Sequence, residues 1–552
     1  MEKTYRSFIV IFVCFLAVLY IPSVAKAQQQ AAEKILDDTG VKGGFVVHIG
    51  CGDGGLTAAL RANDSYLVHG LDADPENVEK AREHIRSLGL YGKVSVEMFA
   101  RDRLPYTDNL VNLVVSENPG HVTMEEVMRV LAPKGVAYIR KDGKWTKTIK
   151  PRPEEIDEWT HYMHDASGNA VAHDSVIGPP RRVQWIGSPR WARHHDHMAS
   201  MSALVSTNGR IFYIFDEGPT SSIQLPPKWS LIARDAFNGV ILWKRPIALW
   251  NTHLWPLKSG PAHLPRRLVA IGDTVYVTLG LDAPVTALDA ATGETIRTYE
   301  ESKGTMELIS SEGVLFLLVS DSPTKSNEYT PKHTYVWDNT SRANRGWAWE
   351  NEKRRIVAVQ ADTGEILWKK EYPVAPMTLA AHGERVFFHN GEKVVCLSRE
   401  NGDEAWSSEP VERRNLINTS FGPKLVVYQD VVLFAGGKRS MTAFSAETGK
   451  TLWTGKHARS GHQSPEDLLV VDGLVWSGAT AGGKDSGVFT GRDPHTGQVK
   501  SEFPPDVKIY WFHQRCYPSK ATDRYLLPSR TGIEFIDFQK KHWTTNHWVR
   551  GG

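Results

Sequence analysis

The sequence predicts an N-terminal α/β domain followed by an all-β propeller of seven or eight blades. Two observations predict this division. Between residues 41 and 150, apolar runs of strand length alternate with segments that carry apolar residues at helical spacing. Beyond residue 180, copies of one short strand unit replace that pattern. Alternating strands and helices indicate a mainly parallel sheet, whereas repeated strand units of this period indicate propeller blades.

The first 27 residues have the pattern of a secretory signal. A basic start precedes an apolar run over residues 8–21 and an A-x-A-like site that ends at Ala27. We therefore expect cleavage before Gln28, a linker over residues 28–40, and export to the periplasm or cell envelope. A retained anchor helix is the alternative, although the run is short for a membrane span. After cleavage we expect no transmembrane span.

The composition limits the partners that we expect. The formal net charge is only +2, and no long basic run is present. We therefore expect a small-molecule or envelope protein partner and no nucleic acid, since nucleic-acid binding needs concentrated positive charge. Removal of the signal leaves Cys51, Cys396 and Cys516. Three dispersed cysteines argue against a disulfide scaffold.

The α/β segment alternates five candidate strands with three candidate helical segments. The strands are GFVVHIG, SYLVHGLDA, KVSVEMF, LVNLVVSE and GVAYIRK. The helical segments are LTAALRA, PENVEKAREHIRSLGL and TMEEVMRVLAPKG. The pair Asp142-Gly143 then predicts a hairpin turn into WTKTIK, because Asp-Gly favours two-residue hairpin loops.

A glycine-rich turn follows the first of these strands. In HIGCGDGG, the glycines at 50, 52 and 54 allow the backbone to turn tightly and approach a ligand. Asp72 ends the second strand about twenty residues later, where a carboxylate can accept hydrogen bonds from ribose hydroxyls. The combination predicts a nucleoside-bearing ligand.

The pattern resembles the class I S-adenosylmethionine-dependent methyltransferases, which have a Rossmann-like fold. The resemblance rests on the glycine loop, GLDADPENVEKAREH, RDRLPYTDNLVNLVV and EEVMRVLAPKGVAYI. It implies that Gly50, Gly52 and Gly54 line the methionine end of bound S-adenosylmethionine. It also implies that Asp72 holds the ribose and that the region around Asp102 borders the adenine.

Three positions depart from the methyltransferase pattern. His48 introduces the loop where many members have an acid, Ala100 replaces the expected adenine-side acid, and Asn112 stands where an Asp is common. No catalytic base can be named, and methyl transfer needs a base where the acceptor must lose a proton. Cofactor binding, active methyl transfer and a degenerate scaffold therefore remain open for residues 41–150.

The repeats after the connector at residues 151–180 carry a recurring Asx/Thr-Gly turn and often a later tryptophan. Six turn glycines mark the copies, at positions 239, 293, 364, 402, 449 and 497, and IEFIDFQKKHWTTNHW is a weaker seventh. The copies resemble the pyrroloquinoline quinone (PQQ) type propeller repeat, A-x-D-x-x-T-G-x-x-x-W. The resemblance implies a propeller over residues 181–552, closed by VQWIG as a strand of the last blade. We expect the tryptophans to pack between blades.

Five histidines are candidate metal ligands at the mouth of the propeller. They fall at or next to matched positions before the innermost strands of different blades, and equivalent positions on different blades converge on the propeller axis. The five residues are His195, His197, His263, His462 and His513. Such a ring suits a transition metal. The alternative is that these side chains bond only to neighbouring loops and water. PQQ itself has no support beyond the repeat resemblance, because the calcium and aspartate motifs of the quinone enzymes cannot be placed.

Three functions therefore remain open after the sequence has been considered. The first is an exported S-adenosylmethionine-binding, methyltransferase-like protein with a propeller. The second is a periplasmic propeller oxidoreductase or metal enzyme with a histidine-lined axial site. The third is a non-catalytic envelope scaffold or binding propeller, since the fold alone does not determine function.

Overall fold

The protein is described by a computed structural model that covers residues 26–552 apart from several short segments. The segments outside the description are 189–192, 194–196, 257–259, 323–324, 351, 418–421, 458–465, 479–480, 483–484, 487, 507–517, 529–532 and 547–552. The chain divides into two compact units. The first contains residues to Pro153 with Gln184–Ile186 and Ala233–Trp243; the second contains Glu154–Val183, Gly187–Ile232 and Lys244 onward.

The first unit has one sheet with helices beside it. A helix α1 spans residues 26–39. The other elements, in chain order, are β1 Gly44–Ile49, α2 Gly55–Ala59, β2 Tyr66–Asp72, α3 Pro75–Ser87, β3 Val94–Met98, β4 Val111–Ser116, α4 Met124–Val130, β5 Leu131–Lys141 and β6 Lys144–Ile149. The sheet order is β3-β2-β1-β4-β5-β6, in which the first five strands are parallel and β6 is antiparallel to β5.

Local sequence explains why these elements form. Asp74 caps α3 by accepting from the Glu76 amide at 2.9 Å, and Pro75 occupies the first helical position, where its missing N–H costs nothing. The buried stripe of α3 is Val78, Ala81 and Ile85, at helical spacing. The helix therefore covers the sheet through a periodic apolar face.

The hairpin predicted at Asp142-Gly143 is confirmed. Lys141 pairs with Lys144, and both turn residues have positive φ, at 50° and 77°. Both φ values are those of the type I′ turn that Asp-Gly favours. The hairpin supplies the antiparallel edge of the first sheet.

Two expectations for this unit need correction. The segment LAPKG was expected to continue a helix, but β5 begins at Leu131, and Lys134 has a φ of 65° within a register irregularity. Pro133 cannot donate a helical hydrogen bond, which favours the earlier helix end.

Residues 28–40 were expected to be a linker, whereas α1 buries Ile35 and Leu36 in the apolar core on one face of the sheet. Apolar burial holds this segment in place.

Within the described residues the propeller has seven blades, each with four antiparallel strands, and the seventh blade has one further, parallel strand. The second unit contains this propeller except for Ala233–Trp243 of the first blade. The first three blades are β8 Met201–Thr207, β9 Arg210–Asp216, β10 Trp229–Asp235, β11 Ile241–Pro246; β12 Leu268–Ile271, β13 Thr274–Thr278, β14 Val285–Asp289, β15 Thr295–Tyr299; and β16 Thr305–Ser311, β17 Val314–Val319, β18 Arg354–Gln360, β19 Ile366–Tyr372. Their innermost strands are β8, β12 and β16. A helix α5, Val336–Gly346, lies between β17 and β18. Short 3-10 helices are Pro265–Arg267, Glu300–Ser302 and Lys325–Glu328.

The remaining four blades follow the same order. They are β20 Ala380–His382, β21 Arg385–His389, β22 Val394–Ser398, β23 Glu404–Ser407; β24 Lys424–Tyr428, β25 Val431–Ala435, β26 Ser440–Ser445, β27 Thr451–Lys456; β28 Leu469–Val471, β29 Leu474–Gly478, β32 Phe489–Arg492, β33 Val499–Phe503; and β34 Lys520–Thr522, β35 Tyr525–Leu527, β36 Ile533–Asp537, β37 His542–Asn546. A separate pair, β30 Ala481–Gly482 and β31 Asp485–Ser486, projects between β29 and β32.

The repeat motif joins successive blades through tryptophan and glycine. The Trp453 ring packs on Gly497 of the next blade, where a Cβ would lie 2.6 Å from the indole, and its Nε1 donates to the Pro494 carbonyl at 2.8 Å. Trp368 repeats both contacts two blades earlier in the ring, on Gly402 and the Arg399 carbonyl. These contacts confirm that the motif tryptophans pack between blades.

A segment that precedes the first blade passes the innermost strands of the seven blades in turn; we call residues 159–170 the axial segment. It accepts one backbone N–H from the innermost strand of every blade, at 2.7–2.9 Å. The seven pairs are Ser206 to Trp159 O, Ala270 to Thr160 O, Ser310 to His161 Nε2, Ala381 to Ala166 O, Val427 to Ser167 O, Val470 to Asn169 Oδ1 and Ala521 to Ala170 O. Buried N–H groups need partners, so this segment satisfies seven strand edges that face the axis.

The strand that closes the last blade differs from the expected one. Residues 183–187, VQWIG, form no strand, and Trp185 instead donates to the Ala236 carbonyl within the first unit. The added strand is β7, Val171–Ala172, which pairs parallel with β34. It follows directly from the axial segment, so the chain is already beside the last innermost strand when β7 begins. Among the described helices, none is long and apolar enough to cross a membrane.

Candidate functional site

The glycine loop joins β1 to α2 and contains left-handed backbone at all three predicted positions. Gly50, Gly52 and Gly54 have φ values of 76°, 55° and 80°. A Cβ on Gly54 would also lie 2.7 Å from the Cβ of Ala81 in α3. Glycine is therefore required at position 54 both by conformation and by helix packing.

Asp72 lies beside this loop at the end of β2. Its Oδ2 accepts from the Gly52 amide at 2.8 Å, and its Oδ1 accepts from the amide of Asp74 at 3.0 Å and from Asn77 Nδ2 at 3.3 Å. The structure thus brings together two residues that are twenty positions apart in the sequence. A carboxylate has about four acceptor positions, so one remains for a ligand hydroxyl.

The predicted adenine side is open. Asp102 and Ala100 are both exposed, in the loop that leads to Leu104. Glu126 anchors this loop by accepting from the Leu104 amide at 2.7 Å, and Arg129 holds the Glu126 carboxylate with a contact of 2.6 Å. Sequence reasoning missed Glu126 and Arg129, because their spacing in α4 indicates only an ordinary helical ion pair.

The residue that introduces the loop is a neutral imidazole. His48 is buried, its Nδ1 lies 2.8 Å from Thr57 Oγ1, and burial lowers its pKa to about 4 although the nearby Asp72 opposes this. His48 therefore supplies no negative charge for a ligand ammonium. Burial also raises the pKa of the Cys51 thiol to about 12, so that thiol is a poor nucleophile.

The hydrogen bonds of Asn112 explain why this position has an amide and not a carboxylate. Its Oδ1 accepts from the Phe45 amide and from Asn238 Nδ2, each at 2.7 Å, and its Nδ2 donates to Asp235 Oδ2 at 2.7 Å. All four residues belong to the first unit. An aspartate at this position would place a second carboxylate against Asp235, whereas asparagine can donate and accept.

Helix α1 contributes a contact that the sequence did not predict. The amide of Gln28 lies against Gly55 at the start of α2, where any Cβ would collide with it, and its Nε2 is 3.5 Å from Asp53 Oδ1. Gln28 is also the residue at which we expect the mature chain to begin. The beginning of α1 is therefore part of the surroundings of the glycine loop.

The propeller axis offers a different environment. Arg266 Nε lies 2.8 Å from Glu307 Oε2, and both side chains are buried. Lys424 is 3% exposed at the start of β24. Burial lowers its pKa to about 8, Arg266 opposes its protonation further, and Asp467 favours it. Cationic side chains do not ligate metals, so Arg266 and Lys424 add no ligand to the candidate metal site.

The histidine candidates are only partly covered by the described residues. His195, His462 and His513, together with Cys516, lie outside them. His197 Nδ1 contacts the Leu254 carbonyl at 3.1 Å, and His263 is fully buried, with burial lowering its pKa well below the ordinary value. No group of three or more His, Cys, Asp or Glu side chains that could hold a metal occurs in the described part of the chain. The metal hypothesis has no support there.

Comparison with known proteins supports both resemblances. Residues 46–135 match the family model described as methyltransferase domain, and residues 352–504 match the model described as outer membrane protein assembly factor BamB. Methyltransferase GfsG of Streptomyces halstedii is 30% identical over 122 residues, which cover 21% of this chain and 44% of that protein. A ribosomal protein L11 methyltransferase of Caldanaerobacter subterraneus subsp. tengcongensis is 28% identical over 127 residues, which cover 23% and 38%. The chain spans less than half the length of these curated relatives.

Solved structures with similarity to each part were also found. A SAM-dependent methyltransferase from Aquifex aeolicus is 27% identical, with 20% of this chain and 62% of that chain covered and a TM-score of 0.18. BamB from Moraxella catarrhalis is 15% identical, with 59% and 78% covered and a TM-score of 0.35. The family matches agree with the parallel sheet of the first part and the seven blades of the second. The chain therefore joins an N-terminal methyltransferase-like domain of the S-adenosylmethionine-dependent type to a C-terminal β-propeller of PQQ-type repeats.

Proposed function

We propose that the N-terminal domain binds S-adenosylmethionine. The observation that carries this proposal is the contact between Asp72 Oδ2 and the Gly52 amide, which holds the carboxylate beside a loop of left-handed glycines. A ribose hydroxyl can donate to the remaining acceptor position of Asp72. The glycines let ligand atoms approach the backbone.

The two ends of the cofactor fit these residues unequally. The ribose end has a buried carboxylate, whereas the methionine end has the neutral His48 in place of an acid. When bound, S-adenosylmethionine supplies an electrophilic methyl group. Neither His48 nor Cys51 is suited to take a proton from an acceptor near neutral pH, because burial disfavours the charged form of each side chain. The proposal is therefore cofactor binding, with no acceptor assigned.

The test is isothermal titration of S-adenosylmethionine into the chain that begins at Gln28, with Asp72→Ala and Asp74→Ala as matched variants. Asp72→Ala removes the ribose acceptor and should weaken binding at least about tenfold, since hydrogen bonds to charged groups contribute ~1.5–3 kcal/mol. Asp74→Ala removes only the cap of α3 and should leave affinity within about twofold. Absence of binding by the unmodified chain, or equal losses in both variants, would contradict the proposal.

Export to the cell envelope is part of this proposal. It is supported by the signal pattern over residues 1–27 and by the propeller match to the model described as outer membrane protein assembly factor BamB. Mass spectrometry of the N-terminus of the protein recovered from fractionated cells tests it. Gln28 is the expected first residue, and an intact Met1 in the cytoplasmic fraction would refute export.

A second candidate function is a binding propeller with a small-molecule or envelope protein partner. The axial segment satisfies all seven innermost strands, so the propeller has a self-supporting ring on which binding surfaces can be built. The test compares the proteins captured by the full chain with those captured by an equal amount of the Trp368→Asp variant. This substitution breaks a contact between blades. Capture that does not depend on the folded propeller would contradict a specific binding role.

A further inference from the structure

The methionine end of the proposed cofactor site lacks a negative charge at the position where the methyltransferase pattern has an acid. His48 stands there, buried and uncharged. S-adenosylmethionine carries an ammonium group at this end, and an ammonium that leaves water without an acceptor is costly to bind. A loop that binds the cofactor therefore needs another acceptor near its glycines.

Asp53 is a carboxylate within the glycine loop itself. It lies between Gly52 and Gly54, both of which have left-handed backbone, and its side chain is exposed. Its Oδ1 accepts from the Gly55 amide at 3.0 Å, which holds the carboxylate on the loop. Its Oδ2 has no hydrogen-bond or ion-pair partner among the described residues. One oxygen of Asp53 is therefore available to a ligand from the solvent side.

Gln28 places a second acceptor beside this carboxylate. Its side chain is half-buried and lies against Gly55, with Nε2 3.5 Å from Asp53 Oδ1. Because the amide nitrogen can only donate, this contact turns Nε2 toward Asp53 and leaves Oε1 as an acceptor. Within the described part of the chain, Oε1 has no hydrogen-bond partner. Solvent reaches both side chains, so neither acceptor is enclosed in the core.

The charges around the loop favour a cationic group. Burial is the main cause of the raised pKa of the Cys51 thiol, and the carboxylates of Asp72 and Asp53 raise it further. Both negative charges are thus close enough to act on the loop. Among the described residues, neither carboxylate forms an ion pair with a lysine or an arginine. Their charge is therefore not neutralised within the protein.

We propose that Asp53 and Gln28 bind the ammonium group of the amino-acid part of S-adenosylmethionine. This inference rests on the cofactor binding proposed above and assigns the acceptor that His48 does not supply. An ammonium has three donors and no acceptor, which complements a carboxylate oxygen beside an amide oxygen. The pair makes the site selective for the intact cofactor over nucleosides that lack the amino-acid part.

The test is isothermal titration of the mature chain with S-adenosylmethionine and with methylthioadenosine, which has the same nucleoside and sulfur but no ammonium. Asp53→Asn removes the charge and keeps an oxygen for the Gly55 amide. It should weaken S-adenosylmethionine binding about threefold to tenfold and leave methylthioadenosine affinity within about twofold. Its melting temperature should match that of the unmodified chain.

Gln28→Ala removes the second acceptor. It should weaken S-adenosylmethionine binding about twofold to fivefold and leave methylthioadenosine binding unchanged. Intact mass is measured on the unmodified chain, because an N-terminal glutamine that cyclises loses ammonia and with it the side-chain amide.

Matched controls come from the exposed part of the same helix, where Gln29 Nε2 donates to Glu33 Oε1 at 3.1 Å. Gln29→Ala and Glu33→Gln repeat the loss of an amide and of a charge away from the loop. Both should leave the affinity for each ligand within about twofold.

The outcomes separate this inference from cofactor binding itself. An unchanged affinity of Asp53→Asn for S-adenosylmethionine, or equal losses for both ligands, would overturn the ammonium assignment while cofactor binding stands. Failure of the unmodified chain to bind either ligand would overturn both.

Discussion

His164 of the axial segment lies between two carboxylates, and its titration can be followed as a change in stability. Its Nε2 is 2.7 Å from Asp157 Oδ2, its Nδ1 is 3.5 Å from Asp165 Oδ2, and its side chain is 9% exposed. Burial opposes the charged imidazolium, but hydrogen bonds with the two carboxylates outweigh it and raise the pKa of His164 to about 9. The charged form therefore persists in the folded protein above neutral pH.

The sign and size of the effect follow from linkage. Because the folded pKa lies above the ordinary 6.5, the stabilisation from His164 is fully present below about pH 6.5 and is lost as the pH rises through about 9. At ~1.4 kcal/mol for each tenfold change in proton affinity, the rise corresponds to about 3 kcal/mol of unfolding free energy.

The perturbation is His164→Asn, chosen because asparagine tolerates the φ of 72° at this position better than most residues. The measurement is urea unfolding of both proteins at about pH 6 and about pH 10. The variant should be less stable at the lower pH, and the difference between the two proteins should shrink by about 3 kcal/mol at the higher pH. Both proteins contain Lys424, whose lowered pKa makes the folded state more stable as the pH rises from about 8. Subtracting the unfolding free energy of the variant from that of the unmodified protein at each pH removes this contribution.

A matched control is His173→Asn, since His173 also lies near a carboxylate, with Nδ1 3.1 Å from Asp523 Oδ1, but is 73% exposed. Exposed ion pairs contribute little, so this variant should show no comparable pH dependence. A destabilisation of His164→Asn that is equal at both pH values, or larger at the higher pH, would refute the assignment of His164 as a buried imidazolium.

Two further predictions concern packing and hydrogen bonding. Gly54→Ala should lower the unfolding free energy by about 2–4 kcal/mol in calorimetry, because of left-handed backbone strain and the clash with Ala81. At position 52 an added Cβ meets open space, so Gly52→Ala should lower the unfolding free energy by only ~1–2 kcal/mol. Equal losses in the two variants would contradict the packing argument. Asn169→Ala removes reciprocal bonds with the Val470 backbone, at 2.8 and 2.9 Å, and should cost about 2–4 kcal/mol in urea unfolding. A cost under about 0.5 kcal/mol would show that the axial segment does not support the sixth blade.

Several elements could be predicted because their causes are local. The Asp-Gly turn at 142–143 and the cap and apolar stripe of α3 each depend on a few neighbouring residues. The start of β5 at Leu131 was missed because β5 continues past a bulge at Lys134, supported by pairing with β4 and β6. Burial of Ile35 and Leu36 was missed because α1 covers a sheet formed later in the chain.

The candidate sites divide in the same way. The glycine loop and Asp72 were found because a loop motif and an acid at the end of the next strand have a known separation. The contacts of His48 and Asn112 could not be found, since Thr57 and Asp235 become their neighbours only in the folded chain.

The sequence by itself determined the two-part architecture, since hydrophobic periodicity and repeated turn glycines record the local backbone state of each segment. It also determined the pairing of motif tryptophans with the next blade, because each repeat presents the same two surfaces. Only the tertiary structure decided the closure of the propeller. Seven N–H groups from distant strands converge on the axis, and which segment satisfies them depends on the positions of all seven blades at once.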